Sequence, residues 1–106
     1  MTTVKEIFEK MPDAFQKDVA AGMNAVYQFD ITGDGGGKWY AAIENGELTL
    51  AEGQHDNPNL TITMGDQDYI DMSTGKLNPQ VAFMTGKLKV KGDMGLALKM
   101  QQIFKK

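Results

Sequence analysis

Near the C-terminus five residues, Lys87-Leu88-Lys89-Val90-Lys91, alternate charged and apolar side chains. Successive side chains of a strand point to opposite faces, so this stretch makes a strand with one wet face and one dry face. Gly92 breaks the run. Asp93 is then placed to accept hydrogen bonds from the first free N–H groups of a helix running to about Phe104. On that helix Leu96, Ala97, Met100, Ile103 and Phe104 share a broad face, which Met94 and Leu98 extend, while Gly95, Lys99 and Gln102 form the polar side. Gln101 falls between Ala97 and Leu98 around the wheel and interrupts the apolar arc. Core packing alone accounts for such a helix. So does a helix that closes an apolar cavity and offers a ligand one polar contact.

The preceding chain supplies what this pair of elements needs. Thr3 and Glu6 form a capping box ahead of a short helix that buries Val4, Ile7, Phe8 and Met11, with Pro12 ending it or starting a further turn through Phe15. Val19 to Gly22 reads as a connector. Ala25 to Ile31 alternates as a strand, Tyr27, Phe29 and Ile31 on one face and Gln28 and Asp30 on the other. A glycine-rich turn, Gly33 to Gly37, leads to a strand from Trp39 to Ile43. Asn45-Gly46 signals a tight hairpin returning through Leu48 to Leu50. Gln54 to Asn59 is a loop, and Leu60 to Met64 alternates as a fourth strand. Asp66 is placed to cap a helix carrying Tyr69, Ile70 and Met72 and ending at Gly75, and Asn78-Pro79 opens a short helix carrying Val81, Ala82, Phe83 and Met84. Helix, four strands, two helices, strand, helix is an α+β order with no βαβ alternation. The dry face of the sheet is covered by helices, and nothing is left to cover the other.

Several function classes drop out on composition. The 106 residues make one domain, 1–106, with one modest core. The absence of cysteine removes disulfides, thiolate metal sites and a cysteine nucleophile. No apolar run approaches a membrane span or a signal core, and the chain does not end in a peroxisomal address, so a cytoplasmic protein is expected. Residues 1–74 hold four Lys against thirteen Asp and Glu, whereas residues 75–106 hold seven Lys against Asp93 alone. With no arginine in the chain, nucleic acid is not an expected partner. The basic third suits transient contact with an anionic membrane, or simply a solvated strand face.

The candidate catalytic motifs fail one by one. Gly33-Asp34-Gly35-Gly36-Gly37-Lys38 has the wrong spacing for a phosphate loop and is followed by Trp39 and a strand. Asp30 to Gly35 starts like a calcium loop, but Ala41 stands where the bidentate Glu is required. His55 and Ser73, the only histidine and serine, lack triad partners. No cofactor, no metal and no catalysis by the chain itself are expected. The eight methionines are the outlier. Met11, Met64, Met72, Met84, Met94 and Met100 fall on expected dry faces, where flexible, polarizable side chains suit either a small core or a surface that fits more than one apolar ligand.

In order and at matching spacing, several segments resemble the sterol carrier protein type 2 family, the nonspecific lipid-transfer domains. They are Tyr27 to Gly33, Gly36 to Trp39, Thr61 to Met64, Gly75-Lys76-Leu77-Asn78-Pro79, Ala82-Phe83-Met84, and Gly86 to Asp93. The likeness covers about Val4 to Phe104. It implies a five-stranded, mainly antiparallel sheet with one face covered by helices, and a hydrophobic tunnel between them walled by the C-terminal helix. It also implies binding or transfer of fatty acids, acyl-CoA esters, phospholipids or sterol-like molecules. The chain departs from fused family members in having no thiolase or dehydrogenase part. The alternative expectation is an accessory protein that presents a lipid intermediate, such as an isoprenoid quinone precursor, to partner enzymes. Combining the resemblance with the dry faces, the expected ligand-binding residues are Phe8, Met11, Phe15, Tyr27, Phe29, Trp39, Ile62, Met64, Ile70, Phe83, Met84, Leu88, Met94, Ala97, Leu98, Met100, Gln101 and Phe104. Trp39 is then an expected fluorescent reporter of binding.

Overall fold

The computed structural model describes residues 2–104. Ten elements follow one another: α1 (Val4–Ala14), α2 (Lys17–Ala20), β1 (Ala25–Thr32), β2 (Gly37–Glu44), β3 (Glu47–Glu52), β4 (Leu60–Gly65), α3 (Asp66–Ser73), α4 (Pro79–Met84), β5 (Leu88–Gly92) and α5 (Met94–Ile103). The strands form one five-stranded sheet in the order β3-β2-β1-β4-β5. Every pairing is antiparallel except β1 with β4, which is parallel.

Local chemistry sets the ends of these elements. Thr3 caps α1, its hydroxyl oxygen accepting from the Glu6 N–H at 3.1 Å. Pro12 does not end α1 but lies within its last turn. The β2–β3 turn places Asn45 at φ 52° and Gly46 at φ 79°, the left-handed pair that a two-residue hairpin of matching twist requires. Asn78 caps α4 and Asp93 caps α5 through their side-chain oxygens. Asp66 does not cap α3. Gly65 holds that position, and the Asp66 carboxylate instead accepts the Gly35 N–H at 3.0 Å, tying down the glycine-rich turn. Lys17–Ala20 forms the short α2, which takes in the first two residues of the Val19–Gly22 stretch read from sequence as a connector.

Alternation divides the sheet as expected on its inner face. Tyr27, Phe29 and Ile31 of β1, Ala41 and Ile43 of β2, and Leu60, Ile62 and Met64 of β4 are all buried toward the helices. Lys89 and Lys91 lie opposite Thr63 and Thr61 on the outer face. That outer face is not bare, however. Gln28 is 0% exposed, because the loop between β3 and β4 crosses over it. Its Nε2 donates to the carbonyls of Gly53 at 3.0 Å and Trp39 at 3.1 Å, and its Oε1 accepts the His55 N–H at 2.8 Å. The same loop is fixed at both ends, Gly53 N–H donating to the Lys38 carbonyl and Asn59 N–H to the Val26 carbonyl. His55 packs its ring against Tyr40 and accepts the Asn57 N–H on Nδ1, so its contacts are those of a loop residue.

Candidate functional site

Between the inner face of the sheet and the helices lies a cavity of about 440 Å³. Its sheet wall is Phe29, Ile62, Leu88 and Val90; its helical walls come from α1, α3 and α5, with Pro79 at the start of α4. Each wall is a periodic stripe. On α1, Ile7, Met11 and Ala14 line the cavity at spacings of four and three. On the C-terminal segment Ala97, Met100, Gln101 and Phe104 line it at i, i+3, i+4 and i+7.

Aromatic rings back this cavity at two places. Phe8 is fully buried, stacked between Trp39 at 4.9 Å and Tyr69 at 5.1 Å and edge-on to Phe29 at 5.1 Å. Phe29 and Tyr69 are the members of this cluster that reach the cavity. Elsewhere Phe15 packs on Phe104 at 5.7 Å, and the two form an isolated antiparallel bridge beside a 2.7 Å hydrogen bond from the Gln16 N–H to the Ile103 carbonyl. This latch joins the chain just after α1 to the end of α5. A second fastening of α5 is the Tyr27 hydroxyl, which donates to the Leu96 carbonyl at 3.0 Å.

The two buried phenols show how dry the surroundings are. Burial, with a smaller contribution from the Asp93 carboxylate, pushes the Tyr27 phenol up to about 12. Burial also drives Tyr69 far above its usual range, against a smaller opposite effect of its hydrogen bond with Ser73. Polar groups gather at the rim: Thr2, Glu6 and Lys10 on one side, Ser73 and Thr74 at the end of α3, and the exposed Gln101 on α5. Among the described residues no cluster of three or more His, Asp or Glu side chains is able to hold a metal ion.

Of the residues expected at the site, Met11, Phe29, Ile62, Leu88, Ala97, Met100, Gln101 and Phe104 stand on the cavity wall. Phe8, Phe15, Tyr27, Trp39, Met64 and Ile70 do not reach it; they pack in or against the core around it. Trp39 touches Phe8 rather than the cavity, so it senses an occupant only through that ring. Phe83, Met84, Met94 and Leu98 point to solvent, with Met84 83% and Leu98 69% exposed. For Met84 and Met94 this corrects their expected place on a dry face. The six-residue α4 buries only Ala82, and Leu98 is one residue off the α5 stripe, about 100° round the helix. The site expectation omitted Ile7, Ala14, Tyr69, Met72, Pro79 and Val90, together with every polar rim residue except Gln101. Val90 was available from the period of two that places it beside Leu88, and Ile7 and Ala14 from the α1 stripe through Met11. The other rim residues, Thr2, Glu6, Lys10, Ser73 and Thr74, carry no such signal.

Comparison with known proteins agrees with this geometry. A sequence model of the SCP-2 sterol transfer family matches residues 4–105. Hydroxysteroid dehydrogenase-like protein 2 of Bos taurus is 36% identical over 101 residues, which cover 94% of this chain and 24% of that protein. Sterol carrier protein 2 of Bos taurus is 37% identical over 102 residues, 93% of this chain and 19% of that protein. The chain therefore spans a quarter or less of the length of these two relatives. The solution structure of palmitated SCP2L2 from Aedes aegypti superposes with a TM-score of 0.79 at 25% identity, covering 96% of this chain and 94% of that one. A family match from the first turn of α1 to just beyond α5, on a helix-covered sheet with an apolar cavity beneath, places the chain in the SCP-2 sterol transfer family.

Proposed function

We propose that this chain binds one long-chain lipid in the cavity between sheet and helices and passes it on, without catalysis of its own. The observation that carries this reading is the cavity: about 440 Å³, within the range of small-molecule sites, apolar in its depth and polar only at its rim. Removing apolar surface from water supplies about 25 cal/mol per Å². The side chains that would receive it include Met11, Met72 and Met100, whose flexible thioethers adapt to more than one tail. The palmitated relative from Aedes aegypti favours a fatty acid or fatty ester among the lipids of the family. Native mass spectrometry of gently purified protein, followed by uptake measurements on the delipidated chain, tests this. A chain that carries no lipid and takes up no long-chain lipid of any class would be a plain folded domain. Co-purification with biosynthetic enzymes would assign it instead to presenting a lipid intermediate.

The proposed acceptor is an anionic membrane. Among the described residues the exposed large apolar side chains are Val19, Val81, Phe83, Met84, Met94 and Leu98. All but Val19 lie in the basic third of the chain, where seven Lys stand against one Asp. Exposed apolar groups set among lysines suit the headgroup region of an anionic bilayer. Transfer of lipid to anionic vesicles is expected to slow as salt is raised. Equal rates at low and high salt would leave these lysines with a solubilising role only.

A further inference from the structure

The two edges of the sheet are built differently. β5, at one edge, holds Lys89 and Lys91 and follows directly on Lys87. Lysines on an edge strand deter pairing with a further strand. β3, at the other edge, reads Glu47-Leu48-Thr49-Leu50-Ala51-Glu52, with no lysine, proline or glycine. The hairpin before it decides which of its backbone groups are free. A two-residue turn makes Glu44 and Glu47 a mutually hydrogen-bonded pair, and such pairs recur at every second residue. Thr49 with Ala42 and Ala51 with Tyr40 are the next two. The Gly53 N–H, donating to the Lys38 carbonyl at 2.8 Å, continues the series. Leu48, Leu50 and Glu52 therefore turn their N–H and C=O groups away from β2. Among the described residues no hydrogen bond reaches these three from the outward side.

The ends of this edge determine what kind of strand suits it. Glu47 and Glu52 are both exposed and stand at its two ends, about 17 Å apart along the strand. Glu44, opposite Glu47 across the hairpin, is exposed as well. Among the described residues none of the three carboxylates has an ion-pair partner. A second copy of β3 laid alongside would bring Glu47 and Glu52 of both copies into one two-stranded ribbon, and like charges oppose that pairing. A strand with a cation at each end meets the same carboxylates with the opposite sign. The edge also stands apart from the ligand site, since no residue of β3 lines the cavity.

We infer that the β3 edge is a docking site for an extended basic segment of another protein, which joins the sheet as a further strand beside β3. The backbone of that segment bonds to Leu48, Leu50 and Glu52, and its cationic ends meet Glu47 and Glu52. In strand addition of this kind the main-chain bonds supply affinity and the side chains choose the partner. Because β3 has no part in the cavity wall, the sheet lengthens equally well with the cavity full or empty. The partner thus holds the chain without displacing what the cavity carries, and the inference is independent of the identity of that cargo.

The test titrates the isotope-labelled chain, by NMR at low salt, with the synthetic peptide acetyl-Lys-Thr-Val-Thr-Val-Lys-amide and with its counterpart carrying Glu in place of both Lys. The lysine peptide is expected to protect the Leu48, Leu50 and Glu52 amides from hydrogen exchange, while Thr49 and Ala51, already bonded to β2, change little. It is also expected to bind about tenfold tighter than the glutamate peptide, the combined worth of two exposed ion pairs, and salt is expected to narrow that ratio. In the double variant Glu47→Lys, Glu52→Lys the preference is expected to reverse, with lipid uptake unchanged. Protection of amides other than these three, equal affinity for the two peptides, or no binding of the lysine peptide at millimolar concentration would overturn the inference. Protection of the same three amides on concentrating the chain alone would overturn it in favour of a second copy.

Discussion

Two glutamines show what single residues do here. By sequence, Gln28 belongs to the wet face of β1 and Gln101 interrupts an apolar arc. Gln28 is the buried one, holding the 53–59 loop through the carbonyls of Trp39 and Gly53 and the N–H of His55. Alternation gave the correct side of the sheet but carried no word of a loop packed there. Gln28→Leu keeps the volume and orphans those backbone groups, so it is expected to destabilise the fold by about 1–3 kcal/mol, read from the denaturation midpoint. A change below a few tenths of a kcal/mol would mean that water replaces the amide. Gln101 is exposed at the cavity rim, where its sequence position had left a choice between water and a ligand. Gln101→Leu is expected to weaken polar-headed ligands alone, by about 0.5–1.5 kcal/mol, the worth of one hydrogen bond. An unchanged affinity ratio between oleate and a hydrocarbon of matched length would reduce Gln101 to a surface residue.

Among the elements, those with a clear period were legible. The strands β1, β4 and β5 follow from alternation, and the caps of α1, α4 and α5 from Thr3, Asn78 and Asp93. The four-residue α2 is too short to show a period. On α5 the apolar arc is so broad that sequence cannot fix which part faces inward. Ile103 and the Phe104 latch decide it, and Leu98 turns out to solvent. The second fastening of α5 makes its stability depend on pH. The Tyr27 phenol titrates near 10.0 when unfolded and near 12 in the folded chain, raised first by burial and then by Asp93. Its contribution is therefore complete below pH 10 and is lost as pH rises toward 12, because the unfolded chain releases the proton first. Tyr69, raised still further, acts in the same direction. Denaturation midpoints are expected to fall across this alkaline window, and less steeply in Tyr27→Phe. An identical slope in that variant would remove Tyr27 from the account.

For the whole molecule the relevant quantity is the volume enclosed by elements from both ends of the chain. A cavity of about 440 Å³ accepts a tail of limited length. Each buried methylene contributes about 0.8 kcal/mol, or roughly a fourfold gain in affinity. Across saturated fatty acids the dissociation constant is expected to fall by about that factor per carbon and then level off once the cavity is full. Calorimetry across chain lengths reads the point of levelling, and a series with no dependence on length would place the tail outside the cavity. Which residues form the enclosure was less legible than the fold. Phe8, Trp39 and Tyr27 are as apolar and as periodic as Phe29, yet they stand behind the wall because the aromatic stack and the Leu96 hydrogen bond hold them there.

The single parallel pairing, β1 with β4, also sets an order in time. β1, β2 and β3 are joined by short turns and can zip up locally, but β4 pairs with β1 only after the chain has come back across the sheet. Contacts between segments distant in sequence form slowly, since loop closure costs entropy before it returns any contact. β5, α4 and α5 all follow β4 in the chain, and α5 then reaches back to the segment just after α1. The meander of the first half, with α1 ahead of it, is thus expected to form before α5 closes over its apolar face. The compartment for the ligand, which needs helices from both ends of the chain, is then expected to come into being last.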